Sequence, residues 1–92
     1  FQGILPKNHP TIAQCYHNLS HIYGEMGDHR GQINYLQRAL DLLIRSLPEN
    51  HPNLATNYNN IAEVYHMIAN YSEALFYHEK ALQIRKKALH EN

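Results

Sequence analysis

His17 and His21 stand four residues apart, with Glu25 continuing the row. On a helix that spacing puts all three on one face, where two imidazoles are the beginning of a metal site. No cysteine or further carboxylate at fixed local spacing completes the set. The row therefore reads as polar surface, and neither a metal nor a cofactor is expected. Nucleophilic chemistry has no better support. Cys15 is the single cysteine and carries no local signature of a nucleophile. There is no GxSxG, no HExxH and no phosphate loop, so no catalytic residue is assigned and an enzyme is not expected. Arg85-Lys86-Lys87 with Lys80 makes a small basic cluster. Eight Lys+Arg balance eight Asp+Glu, and a net charge of zero argues against a nucleic-acid patch. The cluster fits a helix C-terminus, where cations complement the helix dipole. Eight histidines add positive charge as the pH falls. The remaining polar resource is amide: ten asparagines, each offering a donor and an acceptor together.

The elements that position these groups follow from an internal repeat. Leu5-Pro6-Lys7-Asn8-His9-Pro10 returns as Leu47-Pro48-Glu49-Asn50-His51-Pro52, a shift of 42 residues. Aligning 5–46 with 47–88 at that shift gives twelve identities without a gap, where chance gives about two or three. Among them are Ala13/Ala55, Tyr16/Tyr58, Asn18/Asn60, Tyr23/Tyr65, Tyr35/Tyr77 and Ala39/Ala81. Each copy reads as two helices. Ile12, Tyr16, Leu19, Tyr23 and Met26 step by four, three, four and three, and Leu54, Tyr58, Ile61, Tyr65 and Ile68 repeat those steps. That is one face of an α-helix, and both sets are expected to face the core. Asn-His-Pro opens each, because proline suits a first helical turn and drives the residue before it extended. Gly27-Asp28 and Ala69-Asn70 break the pairs. First helices are expected over 11–26 and 54–68, second helices over 30–46 and 71–88. Ile33, Leu36, Leu40, Leu43 and Leu47 stripe one second helix; Ala74, Ala81 and Ala88 recur every seven residues in the other. No strand signal and no low-complexity stretch is present.

Composition sets the outer bounds. Hydrophobic residues make up 43% and charged residues 17%, a globular mix. Strictly apolar runs are as short as Leu42–Ile44, so no membrane span is expected. A lone cysteine and an opening without a basic n-region and apolar h-region point to a reducing compartment, the cytoplasm.

Two helices per unit, with aromatic and small residues at fixed places, resemble the tetratricopeptide repeat. The 42-residue version, with its Leu-Pro-x-Asn-His-Pro linker and a final helix like Ala81-Leu82-Gln83-Ile84-Arg85-Lys86-Lys87-Ala88-Leu89, is similar to the repeats of kinesin light chains. The resemblance covers residues 5–92. The second copy matches in full: Tyr58, Asn60-Ile61-Ala62, Tyr65, Tyr71, Ala74-Leu75 and Ala81-Leu82. The first departs at Ser20, His29 and Gln32, which stand where the second has Ala62, Tyr71 and Ala74; these departures bear on how tightly its two helices pack, not on the fold itself. The implied fold is all-α, an α-solenoid of two antiparallel helix pairs forming a fragment of a right-handed superhelix. Residues 1–4 are a preceding helix tail or tag remnant, 5–46 and 47–88 the two units, and 89–92 the start of a further linker.

The resemblance also implies a protein-interaction module whose concave groove, lined by the first helix of each unit, holds a peptide. The groove residues would be Gln14, His17, Asn18, His21 and Glu25 from one unit, and Thr56, Asn59, Asn60, Glu63, His66 and Met67 from the other. Asn18 and Asn60 match the asparagine that pairs with a ligand main chain in many such repeats. None of the eleven is Lys or Arg, which argues against the version that clamps a C-terminal carboxylate. The alternatives are a structural or self-assembling spacer, or regulatory repeats attached to an effector enzyme. Self-association through the repeat ends is expected, with Ala74, Leu75, Ala81, Leu82, Ile84 and Leu89 only partly covered at one end and Ile12, Tyr16 or Tyr23 at the other.

Overall fold

The computed structural model describes residues 10–90, in four helices: α1 (Pro10–Glu25), α2 (His29–Ser46), α3 (Pro52–Met67) and α4 (Tyr71–His90). No strand occurs among the described residues. The readings of residues 1–4, of the first linker copy Leu5–His9, and of Glu91-Asn92 lie outside them. Each helix packs on its neighbours in sequence, α1 on α2, α2 on α3 and α3 on α4. The result is a slab with principal extents of 44 × 40 × 14 Å.

The helix ends follow local chemistry. Pro52 is the first residue of α3, and His51 before it is extended with φ −68° and ψ 137°. The His51 imidazole caps the helix, its Nδ1 accepting from the Asn53 N–H at 3.1 Å. Asp28 caps α2 through Oδ1, which accepts from the Gly31 N–H at 3.0 Å. Asn70, 42 residues on, accepts from the Glu73 N–H at 3.4 Å. The turns between paired helices are equally alike. Asp28 N–H reaches the Tyr23 carbonyl at 2.9 Å, and Asn70 N–H reaches that of Tyr65 at 2.9 Å. Both turns pass through the left-handed region, at Gly27 with φ 81° and at Ala69 with φ 65°.

The helix boundaries differ from the sequence expectation by one or two residues, and at the end of α4 the difference has a plain cause. Helix α4 was expected to end at 88, but it continues through Leu89 and His90. The reason is at the same place in the first copy, where Pro48 follows Leu47 and α2 stops at Ser46. His90 stands where Pro48 would recur and has an N–H to give, so the helix carries on.

The core lies in the seam between α2 and α3. Leu36, Leu40 and Leu43 of α2 are buried with Leu54, Ile61 and Val64 of α3, and Ala13 of α1 joins them. Burying a side chain such as Ile61 contributes about 2–3 kcal/mol. Within each pair, small residues let the helices approach: Ala39, Ala55, Ala62, Ala74 and Ala81 are all buried. The alanines of α4 are therefore covered, unlike the partial exposure expected for Ala74 and Ala81. A tyrosine triplet repeats beside them. Tyr35 stacks on Tyr23 at 5.4 Å and lies tilted to Tyr16 at 5.9 Å. Tyr77 stacks on Tyr65 at 5.7 Å and on Tyr58 at 6.0 Å.

Two expectations about the first copy change. Leu19 and Met26, placed on the core stripe by their spacing, are exposed. Among the described helices, α1 packs on α2 alone, so the side that α2 covers on α3 has no described helix against it on α1. Ile68, which caps the end of α3, is exposed as well. Secondly, Gln32 does not loosen the first pair. Its side chain fills the space over Gly24, where an added Cβ would come within 2.7 Å of it. The second copy holds the reverse pairing, with His66 in place of Gly24 and Ala74 in place of Gln32.

Candidate functional site

Helices α1 and α3 lie side by side across α2 with no close backbone approach between them. What remains is a channel whose walls are α1 and α3 and whose floor is α2. Side chains from α1 and α3 meet across it at His17 and Asn57. His17 Nε2–H donates to Asn57 Oδ1, and Asn57 Nδ2 donates to the Leu36 carbonyl at 3.1 Å. The second bond orients the amide so that its oxygen faces α1, and that fixes the proton of His17 on Nε2. Asn57 is fully buried, 0% exposed, and is satisfied at both ends. A buried amide without those bonds would cost about 1–3 kcal/mol.

The bridge divides the channel into two open depressions. One, about 330 Å³, is lined by Ala13, Gln14, His17, Leu43, Asn53 and Thr56. The other, about 340 Å³, is lined by His17, Ser20, His21, Gln32, Leu36, Asn60, Glu63, Val64 and Met67. Of the eleven residues named from sequence, Gln14, His17, His21, Thr56, Asn60, Glu63 and Met67 line the two depressions. The other four do not. Asn18 is exposed and accepts from Gln14 Nε2 at 3.4 Å. Glu25 is exposed and lies 3.2 Å from His21 Nε2. Asn59 donates to Glu63 Oε2 at 3.4 Å. His66 lies against the ring of Tyr71 at 5.4 Å.

Asn57, Asn53, Ser20 and Gln32 are polar residues of the channel that sequence reasoning missed. Asn57 stands where the first copy has Cys15, so the repeat gave no signal for it. Its position was nonetheless readable: residues 54, 57, 61 and 64 form one helix face, and a polar residue between Leu54 and Ile61 on that face must find partners inside. His17, named among the groove residues, is half-buried and tied to Asn57.

The electrostatics are mild. No Lys or Arg lines either depression, and Glu63 is the carboxylate between them. The basic side chains sit elsewhere: Arg38 over the Tyr35 ring at 5.5 Å, Lys80 over Phe76 at 5.5 Å, and Arg45 paired with Asp41 at 3.1 Å. Burial raises the Tyr58 and Tyr65 phenols above the usual tyrosine value, and the neighbouring Tyr77 adds to the rise. These groups lie in the helix pair and not in the channel. No helix among the described residues is long and apolar enough to cross a membrane.

Two family models, both described as tetratricopeptide repeat, match the chain, one over residues 33–87 and the other over residues 12–53. No curated protein matches it. With four helices packed in sequence, a 42-residue internal register and one model spanning the seam over more than half of the chain, the chain belongs to the tetratricopeptide repeat family, in its kinesin-light-chain-like form.

Proposed function

We propose that the channel between α1 and α3 holds an extended segment of a protein partner, and that the chain acts as a non-enzymatic interaction module. Tetratricopeptide repeats are generally protein-interaction modules, and the family is non-catalytic. The observation that carries the finer reading is the state of Asn60. It lines the larger depression half-buried, and its amide makes no hydrogen bond within the described residues. A free amide beside an open depression supplies what an extended main chain needs, one donor and one acceptor. His21, Glu63 and Gln14 line the same channel, and Met67 offers an adaptable apolar contact. Asn18, Glu25, Asn59 and His66 form the outer rim of the proposed surface. Units at 5–46 and 47–88, with α4 running on to His90, give this reading its register; a reducing, cytoplasmic setting suits the exposed Cys15 thiol.

A second reading rests on a different observation. Leu75, Leu82 and Leu89 are exposed along one face of α4, which favours self-association through the repeat ends.

The test of the first reading is selection of peptides from a random displayed library on the 92-residue chain. Asn60→Ala should weaken the selected peptides by about 1–2 kcal/mol and leave helix content unchanged. If Asn60→Ala and Glu63→Ala bind every peptide as the parent does, while substitutions on α4 abolish binding, the channel is not the site.

A further inference from the structure

Among the exposed apolar side chains, five follow the repeat. On α4 they include Leu75, Leu82 and Leu89, which stand 42 residues after Ile33, Leu40 and Leu47 of α2. Those three α2 residues pack in the seam against α3, with Leu40 buried. On α1 the exposed ones include Leu19 and Ile22, with Ile12 partly covered. They stand 42 residues before Leu54, Ile61 and Val64 of α3, all buried in the same seam. Each end of the described slab thus presents the main apolar stripe of one half of an interface that the molecule already contains. The halves differ: α4 carries the α2-like half and α1 the α3-like half.

We infer that this chain assembles head to tail with a second copy of itself, α1 of one molecule lying on α4 of the other in the register that α3 takes on α2. The inference rests on the self-association reading above and adds its polarity and register. A cavity of about 240 Å³ marks where the contact begins. It is lined by Pro52, Ile84, Arg85, Ala88 and Leu89, with no polar surface. Ile84, Arg85 and Leu89 are the counterparts of Leu42, Leu43 and Leu47, of which the first two are buried in the seam. Ile12 of the second copy, in the place of Leu54, fills that cavity.

The polar exchanges in this register are compatible. Gln37 Nε2 donates to the Tyr77 hydroxyl at 2.9 Å across the seam. Its counterpart Glu79 meets Tyr35 of the second copy, whose hydroxyl donates to the carboxylate. Arg85, replacing Leu43, faces Gln14 of the second copy, because Leu43 and Thr56 line one depression and Gln14 stands in the place of Thr56. A net charge of zero sets no long-range repulsion against the approach. Three features of the seam have no counterpart, since His78 and Arg85 of α4 stand where Leu36 and Leu43 of α2 are buried, and the amide bridge is lost. Cys15 replaces Asn57, so the buried amide bridge is absent and the contact is weaker and reversible. Because the two faces differ, the contact does not close on itself and extends along the superhelix.

The experiment uses the 92-residue chain and three variants, followed by sedimentation over a hundredfold concentration range with helix content checked for each. The parent mass should rise with concentration beyond that of a dimer. Leu82→Glu spoils the α4 face and Ile22→Glu the α1 face; each variant alone should stay at 10.7 kDa. Mixed, they should form a one-to-one dimer and nothing larger, since one intact α1 face meets one intact α4 face. In His78→Cys, at the counterpart of Leu36, mild oxidation should link Cys15 of one molecule to position 78 of the next, as mapped by mass spectrometry. A parent mass fixed at 10.7 kDa overturns self-association itself and leaves the two faces to units of another polypeptide. A parent that grows while Ile22→Glu alone grows equally, or crosslinks joining Cys15 only to Cys15, overturns the head-to-tail register and spares the broader reading.

Discussion

Helices α2 and α4 occupy the same place in their units, yet they end in different environments. Leu40 of α2 is 6% exposed, and Leu82, its counterpart in α4, is 53% exposed. The first helices show the mirror image: Ile61 of α3 is wholly buried, and Leu19, its counterpart in α1, is 39% exposed. Residue type is nearly constant across these pairs, so the difference comes from neighbours and not from propensity. Among the described helices, α2 and α3 have a helix on both sides, and α1 and α4 on one. A repeat unit covers its tyrosine triplet and its alanines by itself, since those contacts lie within a pair. It covers its leucine stripe only when a second unit is laid against it.

The comparison is broken or sharpened by substituting counterparts. The largest difference is expected at the seam centre. Ile61→Ala should cost about 3–4 kcal/mol in denaturant unfolding, and Leu19→Ala about 1 kcal/mol or less. Equal losses would mean that α1 is covered in solution. Next comes the amide bridge. Asn57→Ala should cost about 2–3 kcal/mol, by removing two buried hydrogen bonds and leaving a void. Cys15→Ala, on an exposed thiol, should stay within about 0.5 kcal/mol.

The turns give a smaller effect of opposite sign. Ala69 holds φ 65° where the first copy has Gly27 at 81°. A Cβ in that region costs about 1 kcal/mol, so Ala69→Gly should raise stability by about 0.5–1 kcal/mol despite the more flexible unfolded chain. Gly27→Ala should lower it by a similar amount. Space around Gly27 is open, so backbone strain alone acts there. A thermal-melt series of the two variants checks both signs.

The smallest effect is in alkali and belongs to the second unit. Tyr58 and Tyr65 hold raised pKa values in the fold, through burial and the nearby Tyr77. The unfolded chain therefore ionises first. The stability these groups supply is complete below the ordinary tyrosine value near 10 and is lost as the pH rises past it toward the folded values. Urea unfolding between pH 9 and 11 should show that decline, and Tyr58→Phe with Tyr65→Phe should flatten it.

The amino-acid sequence by itself determined the local features of this protein. The 42-residue shift set two like units, Asn-His-Pro set a helix start, and Gly27-Asp28 and Ala69-Asn70 set the turns, because each depends on contacts a few residues long. Seven of the eleven groove residues fall in the channel for the same reason, since helical spacing dictates which side chains share a face. The tertiary structure alone decided which faces are filled. Leu19 and Ile61 carry the same pattern signal, and only the presence of α2 on one side of α3 separates them. It also decided that His17 would be held by Asn57, a pair 40 residues apart with no counterpart in the repeat, and that Gln32 would lie over Gly24. Periodicity reports the face a helix offers; burial depends on what is laid against it, and that is a property of the packed chain.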